Sequence, residues 1–218
     1  MKFGAKWFLN QLIENVTWEN YKDHYFDSPK FTSHITEDLC GIIKKAGLTP
    51  SLEYFRIDVT GWRESTKKSI FQASCKEIKM KPYLWDLKIA VEHENNGKLW
   101  LDELIKLMHI RCPLKVIISY ANHETRDDAE HGDTAKLSIA ADLIRATEAY
   151  CNAENNQEEI LIILGNGGEG CKDIGYRGYL YNYANNNFSG LKMSSEDQDF
   201  ANENASNKRR YQRSREKI

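Results

Sequence analysis

The clearest alternation of apolar and polar side chains lies in residues 82–96 (PYLWDLKIAVEHENN). The odd-numbered positions from Leu87 to His93 hold Leu, Ile, Val and His. The even-numbered positions hold most of the charged residues. Because a strand sends alternate side chains to opposite faces, this pattern predicts a strand with one apolar face. The same rule places the side chains of Glu92 and Glu94 side by side near the end of that strand.

Other segments carry equally simple patterns. Helical spacing of apolar residues predicts helices in residues 4–22, 32–47, 98–110 and 134–151. Alternation or short apolar runs predict strands in residues 52–62, 70–78, 114–120 and 159–164. An aromatic-rich hairpin is predicted in residues 176–191. The second helix is expected to start at Thr32 or Ser33, after a connector that ends with Ser28 and Pro29.

The succession of strands and helices between residues 83 and 164 predicts right-handed crossovers. We therefore expect an α/β fold in which a mixed central β-sheet is flanked by helices. One domain should span residues 1–191, with a core at about 32–164. Residues 192–218 are polar, acidic and then basic, and are expected to form a flexible tail.

Composition removes several classes of function. The net charge of −2 gives no global basic field, although a local basic surface remains compatible with it. The five cysteines form no CxxC pair, which argues against a disulfide framework or a zinc site and favours a reduced, cytoplasmic protein. No apolar run approaches the ~20 residues of a membrane helix, so we expect no membrane association.

Acidic residues near predicted strand ends are the main candidates for chemistry. Asp58 lies late in residues 52–62, on the polar parity of that strand. Together with Glu92 and Glu94 it could supply the hard oxygen ligands that Mg²⁺ prefers. Carboxylates in a buried position are costly unless a positive charge lies between them. The competing interpretation is an exposed strand end with solvated acids.

Four stretches in a fixed order resemble the PD-(D/E)XK nuclease superfamily, whose core is restriction-endonuclease-like. They are RIDVTGW, AVEHENN, the amphipathic LWLDELIKLM and the apolar LKVIISY. The resemblance covers roughly residues 35–120 and extends loosely to residue 164. It implies the succession of a helix, a strand with an Asp, a strand with an acidic motif, a helix and another strand.

The resemblance also implies residue roles. Asp58 takes the place of the motif Asp and Glu92 that of the motif acid, and the backbone carbonyl of His93 would face the metal. The implied activity is Mg²⁺-dependent hydrolysis of DNA phosphodiester bonds, with Mn²⁺ as a substitute ion. A restriction-type endonuclease is the most natural role, and the habit of the family implies a homodimer.

The chain departs from the family at Glu94, where a lysine normally orients or deprotonates the attacking water. Glu94 could act as the base or as a ligand of a second metal ion. A lysine could come from elsewhere, with Lys106 on the next helix and Lys88 on the same strand as candidates. A protein that keeps the fold, binds nucleic acid or a protein partner and hydrolyses nothing is the alternative function.

Several rival placements remain open at this stage. Asp86 and Lys88 match the letters D-x-K, but they lie roughly 20 Å upstream of Glu92 along an extended strand. An acid from a preceding helix could also reach the metal. The helix candidates are Asp38, which borders an apolar stripe, its neighbour Glu37, and Glu14; Glu53 is a weaker option on a strand.

Two further motifs favour ordinary structure. GNGGEG at residues 165–170 follows a strand, but no helix pattern follows it, so we expect a connector and no nucleotide cofactor. Residues 123–133 crowd His and acidic side chains without a familiar zinc spacing, so a solvated loop is expected there. His93 lies on the apolar parity and is expected to be a packed core histidine.

Overall fold

The computed structural model describes residues 3–63, 86–95, 99–122, 124–125, 132–151, 158–167 and 171–191. The helices within these ranges are α1 (Ala5–Asn15), α2 (Trp18–Tyr21), α3 (Ser28–Lys45), α4 (Trp100–Met108) and α5 (Asp133–Cys151). The strands are β1 (Thr49–Tyr54), β2 (Ile57–Arg63), β3 (Asp86–His93), β4 (Leu114–Asn122), β5 (Glu159–Gly167), β6 (Arg177–Asn182) and β7 (Asn187–Gly190).

The seven strands form one mixed sheet in the order of the chain, β1 to β7. β1, β2 and β3 pair antiparallel, β3, β4 and β5 pair parallel, and β5, β6 and β7 pair antiparallel. Helices α4 and α5 make the two crossovers between the parallel strands. The predicted α/β fold with a mixed sheet flanked by helices is confirmed, as is the hairpin now seen as β6 and β7.

Apolar cores lie on both faces of the sheet. On the α1/α3 face, Ile35 and Leu39 pack with Val91 and Val116. The α4/α5 face has a core of its own, whose buried members include the following residues: Ala90, Leu104, Leu107, Ile117, Ala140, Ile144 and Ile162. Because β4 and β5 are covered on both faces, their sequences are apolar at nearly every position rather than alternating.

Helix α3 begins at Ser28, four or five residues earlier than the sequence predicts. Asp27 caps it by accepting a hydrogen bond of 3.4 Å from the N–H of Lys30, and Pro29 lies in its first turn, where a missing N–H is harmless. Ser28 and Pro29 therefore start the helix instead of closing a connector. The predicted helix at residues 4–22 is likewise divided, because Val16 and Thr17 leave the helical conformation between α1 and α2.

The prediction of a single strand at residues 52–62 is wrong. A two-residue connection, Phe55 and Arg56, joins β1 to β2, and both residues have positive φ (53° and 61°). Positive φ at both connecting residues is the pattern of a type I′ turn, which favours Asn-Gly. A residue with a Cβ pays about 1 kcal/mol or more for this conformation. The chain carries no such turn signal here, and Phe55 is 71% exposed instead of facing the core.

Other boundaries also differ from the predictions. β3 ends at His93, so Glu94 lies outside the strand. Gly165 and Gly167 belong to β5, so the predicted connector starts later than expected. The strand predicted at residues 70–78 and the tail from residue 192 lie outside the described residues. In the described part of the chain, no helix is long and apolar enough to cross a membrane.

Gly61 is closely packed against the core of the α1/α3 face. A Cβ at this position would lie 2.5 Å from Cγ2 of Ile89 and 2.9 Å from Cγ2 of Ile43. We expect Gly61→Ala to lower the free energy of unfolding by about 1–3 kcal/mol through overpacking. Urea denaturation followed by circular dichroism measures the change.

The matched control is Gly41→Ala in α3, where no atom lies within 4 Å of the added Cβ. This substitution should raise stability by about 0.5–1 kcal/mol, because alanine favours the helix over glycine. Equal stability of the two variants would contradict the close packing of β2 against β3 and α3.

Candidate active site

The ladder between β2 and β3 gives way to side-chain hydrogen bonds near Asp58. The last regular pair is Val59 with Val91. Beyond it, the N–H of His93 donates a hydrogen bond of 2.8 Å to Oδ2 of Asp58. The N–H of Asp58 in turn lies 3.4 Å from Oε2 of Glu92 and donates to it. The two carboxylates therefore take the place of backbone partners and are held beside each other.

The register of β1 with β2 places Asp58 opposite Glu53. Leu52 pairs with Val59 and Tyr54 pairs with Ile57 on either side of them. Glu53 has a φ of 51°, in the left-handed region. Asp58 thus lies one residue beyond the last regular pair of β2 with β3.

Lys106 brings a positive charge to Glu92. Helix α4 buries Leu104 and Leu107 against the sheet and holds Lys106 on the same side as the Glu92 carboxylate. The Nζ of Lys106 lies 2.7 Å from Oε1 of Glu92, whose side chain is 1% exposed. The same Nζ donates to the carbonyl oxygen of Arg56 at 2.6 Å and pairs with Glu103.

One oxygen of the buried Glu92 carboxylate is left without a hydrogen bond. The contact of Oε1 with Lys106 has the distance of an ion pair but not the angles of a hydrogen bond. The Lys106 ammonium offsets the charge of this buried oxygen as an ion-pair partner.

Burial dominates the electrostatics of both carboxylates. It raises the pKa of Glu92 well above the usual value, and the charge of Asp58 adds to this, while Lys106 acts in the opposite direction. Burial also raises the pKa of Asp58, although the hydrogen bond from His93 opposes it. Desolvation lowers the pKa of Lys106, but the nearby carboxylates of Glu103 and Glu92 raise it by more. The pKa of Lys106 is therefore above its usual value.

Glu94 lies outside the strand in which alternation places it beside Glu92. It lies one residue beyond β3, and its N–H donates to the carbonyl of Ile118 at 2.9 Å. Since the strand has ended, its periodicity no longer fixes the direction of the Glu94 side chain. Among the described residues, no group of three or more His, Cys, Asp or Glu side chains is arranged to hold a metal ion.

Asp38 is part of a different contact. Its Oδ2 accepts a hydrogen bond of 2.6 Å from the hydroxyl of Tyr21. It lies on α3, which covers the α1/α3 face, whereas Glu92 contacts Lys106 of α4 on the opposite face. The structure therefore does not bring Asp38 to the acid pair. Glu37 is exposed.

The remaining rivals are also accounted for. Asp86 and Lys88 pair with each other at 2.6 Å at the start of β3, and the Asp86 side chain is 45% exposed. This is an ordinary surface ion pair at the opposite end of the strand from Glu92. Glu14 accepts a hydrogen bond from Gln11 in an exposed position on α1.

The prediction of a solvated loop at residues 123–133 is wrong at Asp133. This residue starts α5, is buried, and receives hydrogen bonds from the guanidinium of Arg177 and the hydroxyl of Tyr179. The contacts join α5 to β6 and are structural. Residues 126–131 of the predicted loop lie outside the described residues.

A hydrogen-bonded cluster around His93 was not found by sequence reasoning. Nε2 of His93 lies 2.9 Å from the hydroxyl of Tyr120, which lies 2.9 Å from that of Tyr176. Burial lowers the pKa of His93 to about 3, so the ring is neutral. The expected core histidine is confirmed. The two tyrosines lie in distant segments, and the pairing of β5 with both β4 and β6 brings them together.

Comparisons with protein families, characterised proteins and solved structures find no match to this chain. The geometry of Asp58, Glu92 and Lys106 is therefore the basis for a functional proposal. This group is the candidate site, since one buried and one half-buried carboxylate with raised pKa values lie beside a partly exposed lysine.

The raised pKa of Glu92 predicts how stability depends on pH. The unfolded chain loses this proton near pH 4.5, before the folded protein does. The stability contributed by protonated Glu92 is thus present below pH 4.5 and is lost as the pH rises through the raised pKa. The Glu92→Gln variant should gain stability relative to the native protein across this window, by about 1.4 kcal/mol per pH unit.

Urea denaturation at a series of pH values measures this difference, with the exposed Glu37→Gln variant as the matched control. A Glu92→Gln difference that stays constant over the window would contradict the burial of the carboxylate. A loss of stability that grows with pH would show that Lys106 outweighs the desolvation of Glu92.

Proposed function

We propose that this protein is a metal-dependent nuclease that hydrolyses DNA phosphodiester bonds, with Mg²⁺ as the natural ion and Mn²⁺ as a substitute. The observation that carries the proposal is the convergence of Asp58, Glu92 and Lys106 at one end of β2 and β3. Two acids and one lysine at this point are the chemical groups that metal-assisted phosphodiester hydrolysis uses.

The residues fit a hard divalent cation. Mg²⁺ is commonly held by one or two carboxylates, with waters and substrate phosphate completing its shell. Asp58 and Glu92 would supply the carboxylates; Oε1 of Glu92 accepts no hydrogen bond of regular geometry, although Lys106 pairs with it at 2.7 Å. The carbonyl of His93 and the side chain of Glu94 are proposed as further ligands. When bound, the ion would polarise a phosphoryl oxygen and lower the pKa of a bound water.

The protein's own groups have separate tasks in this proposal. The N–H of His93 fixes the Asp58 carboxylate, so that the acid does not have to be ordered when substrate binds. Lys106 carries a proton at neutral pH, because its pKa is raised, and it therefore cannot be the base. Its ammonium instead offers hydrogen bonds and positive charge to a water or a phosphate oxygen. Glu94 is the proposed proton acceptor if it is not a ligand.

The succession of elements supports the same proposal. A helix (α3), a strand with Asp58 (β2), a strand with Glu92 (β3), a crossover helix (α4) and a parallel strand (β4) follow one another, as in the PD-(D/E)XK superfamily. Lys106 of α4 would take the place of the lysine missing at position 94. A restriction-type endonuclease acting as a homodimer is the specific role that we propose.

A binding protein without hydrolytic activity is the second candidate. It is favoured by the ion pair of Glu92 with Lys106, which already neutralises the buried charge. It is also favoured by the absence, among the described residues, of a group of three acidic, His or Cys side chains arranged for a metal ion. Metal dependence separates the two candidates.

We expect the native protein to cut supercoiled and linear duplex DNA in Mg²⁺ or Mn²⁺. Asp58→Asn, Glu92→Gln and Lys106→Met should each lower the cleavage rate by about 10²-fold or more, because each removes a charge from the reacting centre. Asparagine at position 58 can still accept the hydrogen bond from His93, so this variant should keep its fold. Asp86→Asn is the control and should cut normally.

Isothermal titration with Mn²⁺ gives a readout that does not depend on cleavage. Binding heat should disappear in Asp58→Asn and persist in Asp86→Asn. DNA binding that is equal with and without EDTA, combined with no cutting by the native protein, would replace the nuclease with the binding protein. If Asp58→Asn and Glu92→Gln still cut DNA and Asp86→Asn does not, the reaction would be assigned to Asp86 and Lys88.

A further inference from the structure

The connection between β1 and β2 uses residues that are poorly suited to its conformation. Phe55 and Arg56 both adopt positive φ, at two positions where a type I′ turn favours Asn and Gly. Natural sequences break such local rules mostly where function requires particular side chains. We refer to residues 53–56 as the β1–β2 tip.

The side chains of the tip are exposed, so no burial of apolar surface offsets the backbone strain. Phe55 is 71% exposed, Arg56 is exposed as well, and Leu52 beside them is 53% exposed. The Phe55 ring makes an edge contact with Tyr54, at 4.7 Å between the ring centroids. An aromatic ring and a guanidinium are therefore held at the surface by a backbone that would accept smaller residues more readily.

The tip lies directly beside the acid pair. The carbonyl of Arg56 accepts a hydrogen bond of 2.6 Å from Nζ of Lys106, the group that also contacts Glu92. Asp58 follows Arg56 by two residues, and the charge of Glu53 contributes to raising the pKa of Asp58. The tip therefore adjoins the place where a strand would bind at Asp58 and Glu92.

We propose that the β1–β2 tip is a nucleic-acid contact, in which Phe55 stacks on an unpaired base and Arg56 binds the adjacent phosphate. An exposed aromatic ring is a stacking platform for any base, and a neighbouring cation follows the backbone. Arg56 would also offset the repulsion between phosphates and the acid pair. The identity of the ligand rests on the proposed nuclease function, but the contact itself does not require hydrolysis.

The decisive variant is Phe55→Asn combined with Arg56→Gly, which installs the turn residues that the backbone prefers. Its affinity for a fluorescein-labelled 20-nucleotide single strand, measured by anisotropy in EDTA, should fall at least 10-fold. Its melting temperature should rise by a few degrees, because the strain of the turn is relieved. A loss of affinity in this variant cannot be attributed to misfolding.

Matched controls separate the tip from general surface effects. Phe26→Asn and Arg145→Ala remove an exposed aromatic and an exposed cation elsewhere and should keep native affinity. Phe55→Tyr should also keep it, whereas Phe55→Leu should lose it, because stacking needs a ring. An affinity that follows ring character at position 55 identifies stacking rather than bulk.

Two results would overturn the inference: native affinity in the turn variant, or a turn variant that is less stable than the native protein. The absence of any binding by the native protein, with or without Mn²⁺, would overturn it too. Binding that depends on the tip in a protein that cuts nothing would support the inference while refuting the nuclease.

Discussion

The hydrogen bond from the His93 N–H to the Asp58 carboxylate is the contact on which the arrangement of the acid pair depends. It takes the place of a backbone bond at the point where the β2–β3 ladder ends. A regular ladder would direct the two N–H groups to carbonyls and would leave the carboxylates to solvent. Because side chains replace carbonyls as acceptors, Asp58 and Glu92 are drawn inward. The loss of water around the two carboxylates destabilises their charged forms.

That cost explains why Lys106 lies where it does. A buried carboxylate needs a compensating charge, and α4 supplies one from the helix that also covers the α4/α5 face. The lysine contacts Glu92, Glu103 and the carbonyl of Arg56, so it connects the crossover helix, β3 and the β1–β2 tip. One ammonium group thus contacts β3, its own helix and the β1–β2 tip.

Much of this architecture could be predicted from the sequence, because most elements carry a clear period. The strands with Glu92 and at residues 114–120, and the helix with Lys106, follow directly from hydrophobic spacing. The turn at Phe55 and Arg56 could not be predicted, since neither residue signals a turn and the alternation continues through it. The break after His93 was equally hidden, because alternation persists in the letters while the strand ends.

His93 uses its two ends for different faces of the sheet. Its backbone aligns Asp58, while its ring packs against Phe31 and hydrogen-bonds Tyr120 on the α1/α3 face. One residue therefore joins the ring contacts on the α1/α3 face to the hydrogen bond that orients Asp58. The acid pair thus shares His93 with the core on the side of the sheet opposite to Lys106.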